Sequence, residues 1–283
     1  TYQIVINVIM VLVLVICVVP LFYVLGMSLS SEGEMLERNY FIIIPRKPVL
    51  SAYKYIITGT NFLHGMLITL IRTLLGVVVA LVFPLILGYT LANYDFPCRR
   101  ALMIYLIITM ILGGGLIPGY LLMSKLHLLN TFWVYIVPAF GNPYGVLVVK
   151  MFVEGLPQDV MDSAELDGAS ELQKLSYIAL PLLKPTLCAL GLFAAVAHWN
   201  DWFSTMLYVR DSNLYPAQYI IRNLLTQTAQ TDISNNLVST YVKMTPQSLK
   251  MASVVVAVLP ILCVYPFLQK YFIYGMYTGS VKG

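Results

Sequence analysis

Charge is scarce in this sequence. Its 283 residues hold 13 Asp or Glu and 17 Lys or Arg, so 11% are charged, whereas a soluble domain carries about 25%. So few charges exclude an ordinary water-facing surface. The net charge of +4 is small and dispersed, which excludes the basic patch a nucleic acid would need. Histidine and cysteine are sparse too. His64, His127 and His198 show no ligand spacing, and Cys17, Cys98, Cys188 and Cys263 contain no Cys-x-x-Cys pair, so no metal site or disulfide framework is expected. Three of the thiols sit in apolar runs, and all four are expected to be buried. No Gly-x-x-x-x-Gly-Lys-Ser/Thr stretch occurs, so the chain has no P-loop for ATP phosphates. No nucleophile–base set is grouped either, and no catalytic residue is expected.

What the chain has is apolar length. Hydrophobic residues make up 59% of it and the mean hydropathy is +0.80. Six segments, roughly 4–28, 65–92, 101–123, 131–153, 186–209 and 251–273, approach or exceed the roughly 20 residues that cross a bilayer. The expectation is an all-α integral membrane protein with six transmembrane helices in one domain spanning 1–283. The run from Ile4 to Gly26 is too long for a signal-peptide core and lacks a small-x-small cleavage site. It reads as a first transmembrane helix whose preceding tail is missing. Pro20, Pro84, Pro138, Pro260 and Pro266 fall inside spans and are expected to kink them, since neighbouring helices re-satisfy the freed carbonyls. Gly113-Gly114-Gly115 is expected to let helices pack closely more than to hinge.

The second span contains Arg72 and the fifth contains His198 and Asp201. Arg72, near a span end, is expected to snorkel to water. For the run His198-Trp199-Asn200-Asp201-Trp202 two assignments stay open. An intramembrane acid is by default a functional group facing a cavity, and flat aromatic faces beside amides suit sugar rings. Alternatively Asp201 pairs with His198 or another helix, and the tryptophans form an interfacial belt. Segments 29–64 and 210–250 read as long loops, the first with an amphipathic stretch from Ala52 to Ile57, the second rich in Asn, Gln, Ser and Thr. Arg99-Arg100, Lys270 and Lys282 place both termini on the cytoplasmic side by the positive-inside rule.

The segment between the fourth and fifth spans is different. Six of the 13 acidic residues, Glu154, Asp159, Asp162, Glu165, Asp167 and Glu171, lie there. Pro157 suits a first helical turn, and the acids after it favour a helix N-terminal half. Val160, Ala164 and Leu166 alternate with acids to give a short amphipathic helix ended by Gly168, and a second short helix runs toward Leu180-Pro181. Membrane-surface helices are normally basic. An acidic knob with small residues fits a basic cleft on another protein better than a lipid surface.

Asp162-Ser163-Ala164, then Gly168 after three residues, then Ile178 after nine, then Leu180-Pro181, resembles the Glu-Ala-Ala (EAA) motif of binding-protein-dependent ABC transporter permeases. Asp162 and Ser163 depart from it conservatively. The spelling Ala164-Glu165-Leu166-Asp167-Gly168-Ala169 resembles the carbohydrate-uptake, MalG-like branch. Gly88-Tyr89-Thr90-Leu91-Ala92 with Phe96-Pro97 looks like the end of that family's second conserved span, and Trp199-Asn200-Asp201 like its stretch in the fifth. Gly113-Gly-Gly-Leu-Ile-Pro118 and Leu129-Asn130-Thr131 are similar to LplC/YtcP-type permeases, and Gly279-Ser-Val281-Lys282-Gly283 resembles the MalG-type tail that enters the ATPase interface.

The resemblance implies a type I ABC importer permease in a bacterial cell membrane, taking up an oligosaccharide. It also implies a second, MalF-like permease, two ATPase subunits that hold the ATP and magnesium, and an extracellular sugar-binding protein. Asp162, Ser163, Ala164, Glu165, Asp167, Gly168, Ala169, Ile178, Leu180 and Pro181 would then couple to the ATPase. Gly168 would set the angle between the two short helices, and the 210–250 loop could reach the binding protein. Two other classes compete. An ion-driven secondary transporter is expected to show paired midplane ionisable groups or an inverted repeat, and a membrane enzyme a grouped catalytic set. Neither is visible.

Overall fold

The computed structural model describes residues 2–231 and 245–280, with side chains at 2–226 and 245–263. The described residues are helical, without a strand, in the order α1 (Tyr2–Ser28), α2 (Glu32–Glu37), α3 (Ser51–Thr58), α4 (Phe62–Ala92), α5 (Arg99–Ile111) and α6 (Leu116–Lys125). Two 3-10 turns (Phe132–Tyr135 and Val137–Phe140) lead to α7 (Pro143–Glu154), α8 (Gln158–Leu166) and α9 (Glu171–Gln173). A π-helical stretch (Lys174–Ala179) joins α9 to α10 (Leu180–Asn200), followed by α11 (Phe203–Tyr208), a 3-10 turn (Ser212–Leu214), α12 (Ala217–Thr231) and α13 (Pro246–Ser280).

Four helical stretches are long and apolar enough to cross a membrane: Tyr2–Ser28, Phe62–Ala92, Glu171–Asn200 and Pro246–Cys263. Counting two bent pairs, α5 with α6 and the 3-10 turns with α7, brings the spans to six. The fold is an all-α membrane fold. In α1 none of the most apolar window is buried in the chain, so its side chains suit a surrounding of lipid. Pro20 and Pro84 lie inside α1 and α4, where the helices continue through them as expected.

Two compact units are distinguishable, residues 1–66 with 216–264 and residues 67–215 with 265–283. In the first, Ala52 and Ile56 of α3 pack with Phe62, Ala217, Ile221 and Ala252, so the amphipathic stretch forms where the sequence puts it. Met27 at the end of α1 packs with Met35 and Ile42, and the buried Glu34 accepts the backbone N–H of Arg46 at 2.8 Å. The 210–250 segment is not all loop. Ala217 and Ile221 of α12 enter this core, because an apolar residue recurs one helical turn apart within its polar sequence. Residues 232–244 lie outside the described residues.

In the second unit Val149 of α7, Ala179, and Leu183 and Leu190 of α10 form one buried cluster, with Leu81 and Leu85 of α4 against it. A Cβ on Gly88 would stand 2.8 Å from the Val149 side chain, so glycine there lets α4 and α7 approach closely. Leu91, Leu106 and Val146 make a further cluster at that end of α4.

Three sequence expectations change here. The third span is not a straight 101–123 helix: α5 and α6 meet at 118°. Gly115 sits at φ +77°, and nothing lies near a Cβ on Gly113 or Gly115. The triplet therefore turns the chain, because glycine alone adopts the Gly115 backbone without strain, and among the described residues its one neighbour is Pro118, 3.8 Å from a Cβ on Gly114. The fifth span is not 186–209 but a helix from Glu171 to Asn200. The second elbow helix runs continuously into it, and Asp201 ends it in an extended conformation. The four cysteines are exposed, not buried. An apolar run in a membrane helix has no need to face the protein interior, and Cys17, Cys188 and Cys263 lie on outward faces of such helices.

Candidate functional site

The acidic elbow begins at Pro157, which precedes α8 as its N-cap, and Asp159 stands in the first turn of α8, where an anion favours the helix dipole. Gly168 follows the helix at φ +78° with open space around a Cβ. Ala169 N–H donates to the Ala164 carbonyl at 2.9 Å and Gly168 N–H to Glu165 at 3.0 Å, closing the helix end around a left-handed residue. Ser170 then starts α9 with a capping box to Gln173, which satisfies two N–H groups reciprocally. The motif thus builds a helix, a glycine turn and a second helix start in the order its spacing implies.

Which faces point outward was not readable. Met161 and Ala164 are half-buried, and Met161 packs against the buried cluster of Val149, Ala179, Leu183 and Leu190. Val160 and Leu166 face outward, with Leu166 90% exposed. Leu172 and Tyr177 are exposed beyond the turn. Asp162, Ser163, Glu165, Asp167 and Pro181 are exposed, while Ile178 and Leu180 are half-buried. Asp162 accepts from Gln158 at 3.3 Å. Lys174, a residue the sequence reading passed over, is buried and bridges Glu165 at 3.2 Å and Glu171. Glu171 also accepts the Tyr89 hydroxyl at 3.0 Å. A lone cation within an acidic run was the only sequence signal for this. Nearby, Arg99 and Lys150 both pair with Glu154 at 2.7 Å.

At the far end of α10 the expected snorkel of Arg72 is overturned. Arg72 is 1% exposed, donates to the Asp201 carboxylate at 2.6 Å and the Asp201 carbonyl at 2.9 Å, and lies 4.2 Å over the Tyr135 ring. The Tyr135 hydroxyl is 3.0 Å from the buried Thr205 hydroxyl and donates to the Leu214 carbonyl. Position along a span could not reveal this, since the partner lies 129 residues away. Asp201 also accepts the Ser204 N–H at 3.0 Å, starting α11. Asp201 thus pairs with another helix, through Arg72. The His198 ring fills the space beside Gly76. Trp199 and Trp202 are half-buried and Asn200 is exposed, with the Asn200 amide donating to Val196 of its own helix. The structure gathers no metal-binding group of His, Cys, Asp or Glu among the described residues.

Asn130, in the Leu129-Asn130-Thr131 stretch, adopts φ +58°. Its Oδ1 accepts the N–H groups of Arg210 and Asp211 at 2.9 and 2.7 Å, and its own N–H donates to the Tyr208 carbonyl at 2.9 Å. One side chain thereby ties the α6 exit to the α11 exit. Of the tail residues, Gly279 falls in α13, whose side chains are described only to Cys263, and Val281, Lys282 and Gly283 lie outside the described residues.

No family model matches the sequence. Protein LplC of Bacillus subtilis (strain 168) is 39% identical over 270 residues, covering 95% of this chain and 90% of that one. The polygalacturonan/rhamnogalacturonan transport system permease protein YtcP of the same organism is 33% identical over 268 residues, covering 95% and 93%. Among solved structures, a bacterial ABC transporter involved in the import of the acidic polysaccharide alginate superposes with a TM-score of 0.83 at 26% identity, covering 96% of each chain. Relatives this similar over 95% of the chain show the family: the chain belongs to the carbohydrate-uptake family of ABC transporter permeases.

Proposed function

We propose that this chain is the transmembrane subunit through which an ATP-driven importer passes an oligosaccharide, with residues 157–181 held by a separate ATPase. The observation that carries the reading is the surface of the elbow. Leu166, Leu172 and Tyr177 are 90%, 76% and 78% exposed beside Asp159, Asp162 and Asp167. The 30-residue helix from Glu171 is about 45 Å long against a hydrocarbon core of about 30 Å, which leaves length for its charged first turn, Glu171 to Lys174, outside the apolar core. Exposed apolar side chains and exposed acids on one short segment suit the basic cleft of a soluble protein. The sequence has no P-loop, so ATP and magnesium belong to partner subunits and this chain holds no cofactor.

The remaining assignments follow from that reading. The six spans act as one permease domain, paired with a MalF-like second permease and surrounded by lipid. Two ATPase copies sit below, on the cytoplasmic side with both termini, and Gly279, Val281, Lys282 and Gly283 reach their interface. An extracellular binding protein delivers the sugar. YtcP is named for polygalacturonan/rhamnogalacturonan transport and the superposed transporter for alginate, which supports a polysaccharide-derived substrate. Trp199, Asn200 and Trp202 are the proposed sugar contacts, and Asp201 contributes by holding the end of α10 through Arg72. Closure of the ATPases on ATP rocks the bundle between two rigid-body states.

The test is to purify the tagged chain and its Gly168→Asp variant from the native membrane. Wild type should bring down an ATPase, and vesicles should accumulate oligogalacturonides or alginate oligosaccharides with ATP. The variant should lose both. Equal uptake and equal ATPase recovery from the variant would remove the reading.

A further inference from the structure

Lys174 stands where three elements meet. Glu165 closes α8, Glu171 opens α9, and Tyr89 belongs to α4. The ammonium of Lys174 reaches both carboxylates, at 3.2 Å to Glu165, and Glu171 passes the connection to the Tyr89 hydroxyl at 3.0 Å. The bridge to Glu171 is local, one helical turn away. The bridge to Glu165 is not: it crosses the left-handed Gly168, where the backbone leaves α8 and has open space around it. With the apolar packing of Met161 against the cluster of Ala179 and Leu183, this ion pair ties α8 to the base of the fifth span.

The burial is asymmetric. The Lys174 side chain is 9% exposed, whereas Glu165 and Glu171 are 73% and 65% exposed. A buried ammonium is costly unless paired. The two carboxylates roof it from the solvent side and remain largely hydrated themselves, so the desolvation penalty of a fully buried pair does not apply to them. The backbone around Lys174 is also special. Residues 174–179 are π-helical, and wide turns of this kind inside α-helices are frequent at functional sites. This stretch joins the elbow to the apolar part of α10, so motion passed along the chain from the elbow into α10 runs through it.

We infer that Lys174 is a positioning residue that locks α8 to the fifth span, so that the elbow and α10 move as one lever. This rests on the reading that a partner ATPase grips the elbow, and adds the internal joint through which its motion is transmitted. Without the lock, α8 swivels about Gly168 and follows the ATPase while α10 stays behind. The ATPase still docks, because the outward residues Leu166, Leu172 and Tyr177 are unchanged, but its stroke is lost in the turn.

The experiment places spin labels at Gln158→Cys on α8 and Phe193→Cys on α10, after the four native cysteines have been replaced by alanine. The interspin distance is measured by pulsed electron resonance in the full complex, with ADP and after trapping with ATP and vanadate. In the otherwise wild-type chain the distribution should be narrow and equal in both states. In Lys174→Met it should gain a displaced component, about tenfold more populated than before, and shift on vanadate trapping. Lys174→Arg should restore the narrow distribution, a rescue that a general packing defect would not give. The pair Glu165→Gln with Glu171→Gln removes the same bridges from exposed positions and should reproduce Lys174→Met if that variant folds poorly. A distribution in these variants as narrow and state-independent as in wild type would overturn the lock. Failure of any ATPase to purify with wild type would sink the docking reading instead, while the same distances in the lone permease still decide whether Lys174 holds α8.

Discussion

Arg72 and Asp201 meet at 2.6 Å across 129 residues of sequence, the first 1% exposed and the second closing the last turn of α10. The guanidinium also binds the Asp201 carbonyl and covers the Tyr135 ring, so α4, α10 and the 3-10 turn after Thr131 converge on one cation. The carboxylate thereby joins the end of α10 to α4.

Asp201→Asn and Arg72→Gln should therefore lower the thermal midpoint of the detergent-solubilised protein by several degrees. Breaking a buried pair costs about 3–5 kcal/mol, and the 26% exposure of the Asp201 side chain brings the expectation to about 2–4 kcal/mol. Unfolding followed by size-exclusion fluorescence reads this directly. An unchanged midpoint with a transport defect would mean that Asp201 serves the substrate.

Gly76→Ala should destabilise the same end, since its Cβ would overlap the His198 imidazole. Overpacking of this kind costs about 1–3 kcal/mol. The double variant Gly76→Ala with His198→Ala should recover most of the loss, because residues in contact are not additive. Recovery absent in the double variant would place the defect elsewhere along α4.

Gly168→Ala should leave the spans intact and weaken the elbow alone. Its φ of +78° with open space around the Cβ means backbone strain without a clash, about 1–2 kcal/mol for a non-glycine residue. Gly168→Asn should be milder, as Asn tolerates this conformation. Hydrogen exchange across residues 158–170 should speed up in the order Gly, Asn, Ala, with the span helices unaffected. The same rates in all three would show that the turn is not what shapes the elbow.

Asn130→Gly separates backbone from side chain at the staple between the α6 and α11 exits. It keeps the left-handed φ of +58° but removes the acceptor for Arg210 and Asp211, and proteolysis between 208 and 215 should accelerate. Asn130→Asp keeps the acceptor and should stay protected. Each backbone N–H left without its partner costs about 1 kcal/mol when water replaces it poorly.

Much of this molecule is legible in one dimension. The shortage of charge and the length of the apolar runs dictate an all-helical membrane chain, because an unpaired backbone group in lipid is too costly for any other spanning structure built from such runs. The elbow is legible too. Gly168, Ser170 and the acids before them obey local rules of helix ending and capping, which depend on neighbours within a few residues. What those rules leave open is the direction each side chain faces, so Leu166 could not be told from Met161 by composition alone.

Tertiary structure decided the rest. Whether Gly113-Gly114-Gly115 packs or turns depends on what stands beside it, and in the fold nothing stands beside Gly113 or Gly115. Whether Arg72 reaches water or a carboxylate depends on α10 ending at Asn200 and not nine residues later. Lys174 acquires its meaning only when Glu165 and Glu171 are folded over it. Periodicity and capping act over one or two helical turns and are written in the chain itself. Partners of a buried charge are chosen by the approach of distant helices, and that is settled only when they pack.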